Sequence, residues 1–127
     1  MERQILETVK KQITLKDKVH LIAETLRNCN LEQGKLKFAI KEDGKEKFCA
    51  YGALGFMAGI PKDVLKTHPY IPILTKYGIT ESEARTMIEV PKFSPYMEKE
   101  MCLRDAIWYM NDQGMSFNGI ANWLDNQ

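Results

Sequence analysis

The spacing of apolar residues predicts helices along most of this chain. Ile5, Val9 and Ile13 lie four residues apart, which predicts a short first helix. A second amphipathic helix, capped by Thr14, is expected over residues 15–29, because apolar side chains recur there in steps of three and four: Leu15, Val19, Ile22, Leu26 and Cys29.

One segment has the alternating pattern of a strand. Leu36, Phe38 and Ile40 occupy every second position, and Asp43-Gly44 then provides the residues of a tight turn. The strand that would follow is short and polar. We therefore expect a single β-hairpin that packs on helices and does not belong to a large sheet.

The middle of the chain contains three weaker helix patterns. Residues 48–60 are rich in alanine and glycine, so a helix there requires close packing against its neighbours. A short turn is expected after Pro61, and a loop with a short helix over residues 68–78. Thr80 and Glu83 form the pattern of a capping box, which predicts a helix through about residue 88.

Two helices are expected to complete the chain. The first covers residues 95–112 and is apolar around almost its whole circumference, which predicts a central position. The second is capped by Ser116 and turns one stripe inward: Phe117, Ile120, Ala121 and Leu124. The predicted fold is mainly α with one β-hairpin (α+β), a compact single-domain helical bundle over residues 1–127.

The composition and charge of the chain argue against several classes of protein. The 127 residues carry 18 Lys and Arg against 17 Asp and Glu, and the net charge of +1 provides no broad positive field for nucleic acid. The 3 cysteines are widely spaced, without the close pairs of a zinc site or the framework of a secreted disulfide protein. No apolar stretch has the length of a membrane span. We therefore expect a soluble cytoplasmic protein with no cofactor, no metal and no membrane attachment.

Cys49 is the first candidate for chemistry, because a strand is expected to end there and a helix to begin. A thiol at a helix N-terminus can become a thiolate nucleophile. Such an enzyme also needs a base, and the chain has 2 histidines, His20 within a predicted helix and His68 in a loop. We favour the simpler interpretation, in which Cys49 is buried by small-residue packing.

Arg104 and Asp105 place two charges within the apolar helix. Asp105 and Asp112 are seven residues apart and share one face with Trp108, an arrangement that could bind a cation or perform acid–base chemistry. We favour a simpler interpretation here too, in which Asp105 bonds a backbone amide or a nearby arginine, and Asn111 and Asp112 end the helix.

Several short motifs occur together in this chain. They are the Asp43-Gly44 hairpin, the run Cys49-Ala50-Tyr51-Gly52-Ala53-Leu54, and Asn111-Asp112 followed by Gly114, Ser116 and Phe117. In this combination the chain resembles an uncharacterised family of small bacterial and phage proteins with a Cys-Ala-x-Gly-Ala-Leu stretch and a C-terminal Asn-Asp. That family has no assigned activity. The resemblance implies an origin in a phage or other mobile element, and it identifies the residues to examine as Cys49, Gly52, Asn111 and Asp112.

These patterns favour a non-enzymatic binding module that recognises a protein or small molecule in a groove between the helix after Cys49 and the helix over residues 95–112. Its expected binding residues are Cys49, Tyr51, Gly52, Asp105, Trp108, Asn111 and Asp112. One alternative is a hydrolase or transferase with Cys49 as nucleophile, His68 or His20 as base and Asp112 or Asn111 as orienting group. A second is a DNA-binding regulator, because residues 112–124 resemble the opening helix of recombinase-type helix-turn-helix domains, although no recognition helix follows.

Overall fold

The computed structural model describes residues 14–34, 39–42, 45–65, 70–92 and 100–127. The fold is mainly helical and of the α+β class, as the sequence predicted. The predicted first helix, with Ile5, Val9 and Ile13, lies outside the described residues, as does the Asp43-Gly44 turn. The elements follow in the order α1 (Leu15–Asn28), β1 (Glu32–Gln33), β2 (Ala39–Glu42), β3 (Lys45–Phe48), α2 (Ala50–Met57), α3 (Lys62–Leu65), α4 (Tyr70–Lys76), α5 (Glu81–Ala84), β4 (Met87–Glu89), β5 (Glu100–Cys102), α6 (Leu103–Asp112) and α7 (Phe117–Asp125).

Helices α1 and α7 form a packed pair. Helix α1 begins with a capping box between Thr14 and Asp17, and α7 begins with the predicted Ser116 cap. The Arg27 guanidinium joins their polar edges through an ion pair with Asp125 at 2.6 Å. The predicted α7 stripe is buried throughout: Phe117, Ile120, Ala121 and Leu124. Of the predicted α1 stripe, Val19, Ile22, Leu26 and Cys29 are buried and Leu15 is partly buried, and Ala23 is buried in addition.

An antiparallel strand pair is present on either side of the predicted turn, and it belongs to a three-stranded sheet with strand order β1-β3-β2. Leu36 and Phe38 of the predicted first strand lie outside the described residues. Strands β2 and β3 are antiparallel, and Glu42 pairs with Lys45, so two residues connect them. Strand β1 adds to the other side of β3 in parallel, with Glu32 opposite Lys47. The sequence analysis missed β1 because two residues are too few to show an alternating pattern.

A second antiparallel pair, β4 and β5, corrects two helix boundaries. The capping box of Thr80 and Glu83 is present, but its helix ends at Ala84 instead of continuing to residue 88, and β4 follows. Residues 100–102 form β5 and not part of a helix, while 93–99 lie outside the described residues. The backbone hydrogen bonds between these strands, with Met87 opposite Cys102, replace the helical hydrogen bonds that the local sequence favours.

Helix α6 is shorter and more amphipathic than predicted. Its inner face is buried and consists of Leu103, Ala106, Ile107, Met110 and Asn111, whereas the remaining residues are partly exposed. The helix ends in a Schellman motif: the Gly114 amide donates to the Asn111 carbonyl at 3.0 Å and the Met115 amide to the Met110 carbonyl at 3.1 Å. Gly114 has φ +95, a value that glycine adopts without strain.

Helix α2 shows why its sequence is rich in small residues. Its first six residues are all buried, and Gly55 lies directly against side chains of α3 and α4. A β-carbon added at Gly55 would lie 2.3 Å from Leu65 Cδ2 and 3.2 Å from Ile73 Cδ1. A side chain at position 55 therefore requires the end of the Leu65 side chain, or the helices themselves, to move. No helix among the described residues is both long enough and apolar enough to cross a bilayer.

Candidate functional site

Cys49 lies where the sequence predicted, between β3 and α2, and its side chain caps the helix. The sulfur accepts a hydrogen bond from the Gly52 amide at 3.4 Å, and the residue is 7% exposed. Burial raises the pKa of the thiol, and the charge of Asp112 raises it further, while the Gly52 amide acts in the opposite direction. The neutral thiol is therefore favoured, which suits a buried helix cap better than a nucleophile.

We expect Cys49 to react slowly with iodoacetamide in the folded protein at about pH 7, because burial limits access and the raised pKa leaves little thiolate. In a protein with Cys29 and Cys102 replaced by serine, urea should accelerate labelling at least about tenfold. The midpoint pH of the folded protein should exceed the ordinary thiol value of about 8.5. Mass spectrometry measures both quantities. Rapid labelling of the folded protein, with a midpoint well below that value, would instead support the hydrolase or transferase alternative.

The two histidines were candidates for a catalytic base. His68 lies outside the described residues. His20 is exposed on α1, where its Nδ1 lies 2.9 Å from Asp125 Oδ1 at the polar edge of the α1 and α7 pair. Glu24 completes a group whose ligand atoms lie within 4.8 Å of one another. Arg27 already bonds the carboxylates of both Glu24 and Asp125, so this group is a network of ion pairs that joins the two helices.

Asn111 has a larger structural role than ending a helix. Its side chain is fully buried, and its Oδ1 accepts hydrogen bonds from the Ala50 amide at 3.0 Å and from Gln33 Nε2 at 2.9 Å. Its Nδ2 donates to the Gly34 carbonyl at 2.9 Å. The side-chain amide of Asn111 therefore connects α6 to the first turn of α2 and to the end of β1.

Gln33 completes this hydrogen-bond network. The sequence analysis did not identify Gln33 as a site residue. Its Nε2 donates to the Met115 carbonyl as well as to Asn111, and its Oε1 accepts from the Phe117 amide at 3.0 Å. Gln33 thereby joins β1 to the loop between α6 and α7. No buried side-chain nitrogen or oxygen among the described residues lacks a partner. The network is therefore complete without a ligand.

Tyr51 and Gly52 also belong to the interior of the protein. Tyr51 is 0% exposed, and its hydroxyl donates to the Arg104 carbonyl at 2.7 Å. Gly52 is buried and donates to the Cys49 sulfur. Bonds from Tyr51 and Ala50 to α6 join α2 directly to that helix. These two bonds bridge the helices between which the sequence predicted a groove, and the partly exposed residues among those predicted lie on the other side of α6.

Five partly exposed residues cover that side, which we call the α6 outer face: Arg104, Asp105, Trp108, Tyr109 and Asp112. Asp105, Trp108 and Asp112 recur at steps of three and four, so they share one side of the helix, as the sequence predicted. The Trp108 and Tyr109 rings meet edge to face, with centroids 6.1 Å apart. The face is therefore aromatic at its centre and carries a carboxylate on each side of Trp108.

Asp105 is held by its neighbours on the helix. Its Oδ1 accepts hydrogen bonds from Arg104 Nε at 3.1 Å and from Trp108 Nε1 at 3.3 Å. Burial opposes ionisation of Asp105, but the hydrogen bonds from Arg104 and Trp108 outweigh it and lower the pKa of the carboxyl. The interpretation that Asp105 bonds a nearby arginine is confirmed. The separate bond from Trp108 Nε1 to Asp105 fixes the orientation of the indole ring.

Tyr70 is another partly exposed aromatic residue, which the sequence analysis did not select; it lies in a stretch predicted as a loop with a short helix. Its ring packs edge to face on Tyr51, with centroids 4.8 Å apart, and the residue is partly exposed on α4. Burial raises the pKa of Tyr70, and the charges of Asp112 and Asp105 raise it further. Tyr70 therefore lies within the electrostatic reach of both carboxylates of the α6 outer face.

The chain was compared with protein-family models, with curated proteins and with solved structures. None of the three comparisons found a match. The α6 outer face is thus interpreted from its own geometry.

An open groove occurs elsewhere, between α1 and the ends of α2 and α4. Its volume is about 460 Å³, and its apolar walls include Leu21 and Met57, which are 51% and 46% exposed. Glu24, Thr25 and Lys76 contribute polar groups. The groove contains none of the residues selected from the sequence. The groove is therefore a second candidate surface, with which binding at the α6 outer face can be compared.

Proposed function

We propose that this protein is a non-enzymatic binding module that contacts a protein partner through the α6 outer face. The observation that carries the proposal is the position of Trp108, which is partly exposed at the centre of a helix whose opposite side is locked into the core. Tryptophan is enriched among the residues that dominate binding energy at protein interfaces.

Rigidity supports this role. The inner face of α6 is tied to α2 and β1 through Asn111, and the Trp108 indole is oriented by Asp105. A surface that is already ordered loses little conformational entropy when a partner binds. Asn111 then serves the function indirectly, since it holds the helix that presents Trp108, and Cys49 caps α2, to which that helix is bonded.

A screen of small fragments by nuclear magnetic resonance tests the proposal without a known partner. Fragments collect at energetic hot spots, so shifts in the spectrum of the ¹⁵N-labelled protein should cluster on the Trp108 indole and on the amides of residues 104–112. Trp108→Ala should abolish this cluster. Met87→Ala, which removes another exposed apolar side chain, should leave it intact. Fragments that prefer the groove lined by Leu21 and Met57 would contradict the proposal.

The resemblance to small bacterial and phage proteins, the mobile-element origin that it implies and a cytoplasmic location all stay predictions. They are compatible with an accessory protein that acts by contact. A hydrolase or transferase would need Cys49 to be reactive, and its burial and raised pKa provide no support for that role.

A further inference from the structure

The groove between α1 and the ends of α2 and α4 exposes two large apolar side chains. Leu21 of α1 and Met57 of α2 line it, and both residues are about half exposed. Covering such side chains with another molecule is favourable, because it removes apolar surface from water. The volume of about 460 Å³ is large enough to accept a leucine and a methionine side chain from outside. The groove therefore suits a protein surface with protruding apolar side chains.

Charges of both signs also line this groove. Lys76 is exposed on α4, and no residue in the described part of the chain forms an ion pair with it. Glu24 of α1 belongs to the network in which Glu24 and Asp125 share the single guanidinium of Arg27, and to which His20 adds no charge in its neutral form. Two carboxylates and one guanidinium leave one negative charge, and the Glu24 side chain is 44% exposed.

A surface that carries both charges can match a second copy of itself. Dimers most often form around a two-fold axis, where the same surface of each copy meets the other and each contact occurs twice. We propose that two copies of this chain associate through the groove. Leu21 and Met57 of each copy pack on the other copy, and Lys76 of each copy lies beside Glu24 of the other.

The charge of the whole chain is compatible with this association, since a net charge of +1 gives little repulsion between copies. A dimer presents two α6 outer faces, so a partner with two target sites gains affinity through avidity. The inference goes beyond the proposed function and does not depend on it, because the groove and the α6 outer face share no residue.

Sedimentation velocity tests the dimer. At about pH 8, the mass of the wild-type protein should rise from one chain towards two between about 5 and about 500 µM. Met57→Glu should weaken association at least about tenfold, because it places a carboxylate in the apolar contact. Met87→Glu makes the same change at an exposed position outside the groove and should have no effect. A wild-type protein that stays monomeric, or equal effects of the two variants, would overturn the inference and leave the groove to a different molecule.

An exchange of charges tests the pairing within the dimer. Lys76→Glu and Glu24→Lys each bring like charges together twice, so each variant alone should associate at least about fivefold more weakly than the wild type. Mixed in equal amounts, the two variants should recover wild-type association, because both contacts of the mixed dimer again join opposite charges. Lys92→Glu, at an exposed position outside the groove, should associate as the wild type does. Circular dichroism checks that each variant folds, and a mixture of folded variants that stays monomeric would contradict the proposed dimer.

Discussion

Replacing Asn111 with alanine is expected to lower the free energy of unfolding by about 3 to 5 kcal/mol. The change leaves the Ala50 amide and the Gly34 carbonyl without their partner inside the protein, and it also removes one contact of Gln33. Each buried polar group left unpaired costs about 1 to 3 kcal/mol, and the cavity adds to the loss. Urea unfolding followed by circular dichroism measures the difference.

Asn118→Ala provides the matched control, because Asn118 is exposed on α7. Its substitution should change the unfolding free energy by less than about 0.5 kcal/mol. A loss of unfolding free energy below about 1 kcal/mol for Asn111→Ala would mean that the contacts among α6, α2 and β1 do not depend on the Asn111 side chain in solution.

Gly55→Ala is expected to destabilise the protein by about 2 kcal/mol, although alanine is the better helix former by about 1 kcal/mol. The added methyl group would lie 2.3 Å from Leu65 Cδ2, so α2 and α3 must move apart or the Leu65 side chain must leave its favoured rotamer. Thermal or urea unfolding measures this loss.

The combination with Leu65→Ala makes the test specific. Leu65→Ala alone should cost about 2 to 5 kcal/mol because Leu65 is fully buried. In the double variant the new methyl group occupies space that the leucine has left, so the total should be smaller than the sum of the two losses by at least about 1 kcal/mol. Additive losses would show that the close approach at Gly55 does not occur.

The elements that the sequence predicted well are those whose structure depends on nearby residues. Helices α1 and α7 combine an apolar stripe with an N-cap, and both features lie within a few residues of each other. The capping box at Thr80 was found for the same reason. Its helix was predicted too long, because the residues after Ala84 pair with β5, and a local pattern contains no information on such a distant partner.

The arrangement of the candidate site residues was predicted in part, while their role in binding stays a prediction. Asp105, Trp108 and Asp112 share a face because helical spacing is a local property, and the structure places them so. The role of Asn111 was missed, since an asparagine in the last turn of a helix usually serves to end it, whereas its partners Ala50 and Gly34 are more than 60 residues away in the sequence. Cys49 was placed correctly, but its burial depends on the packing of the whole chain around it.

The pairing of α1 with α7 has a consequence for synthesis on the ribosome. Helix α1 ends at Asn28 and α7 begins at Phe117, so about 90 residues must be translated between them. At roughly 5 to 20 residues per second this takes roughly 5 to 20 seconds. During that time the stripe of Val19, Ile22 and Leu26 lacks its main partner, so the nascent chain exposes an apolar surface to the chaperones that bind near the ribosomal exit.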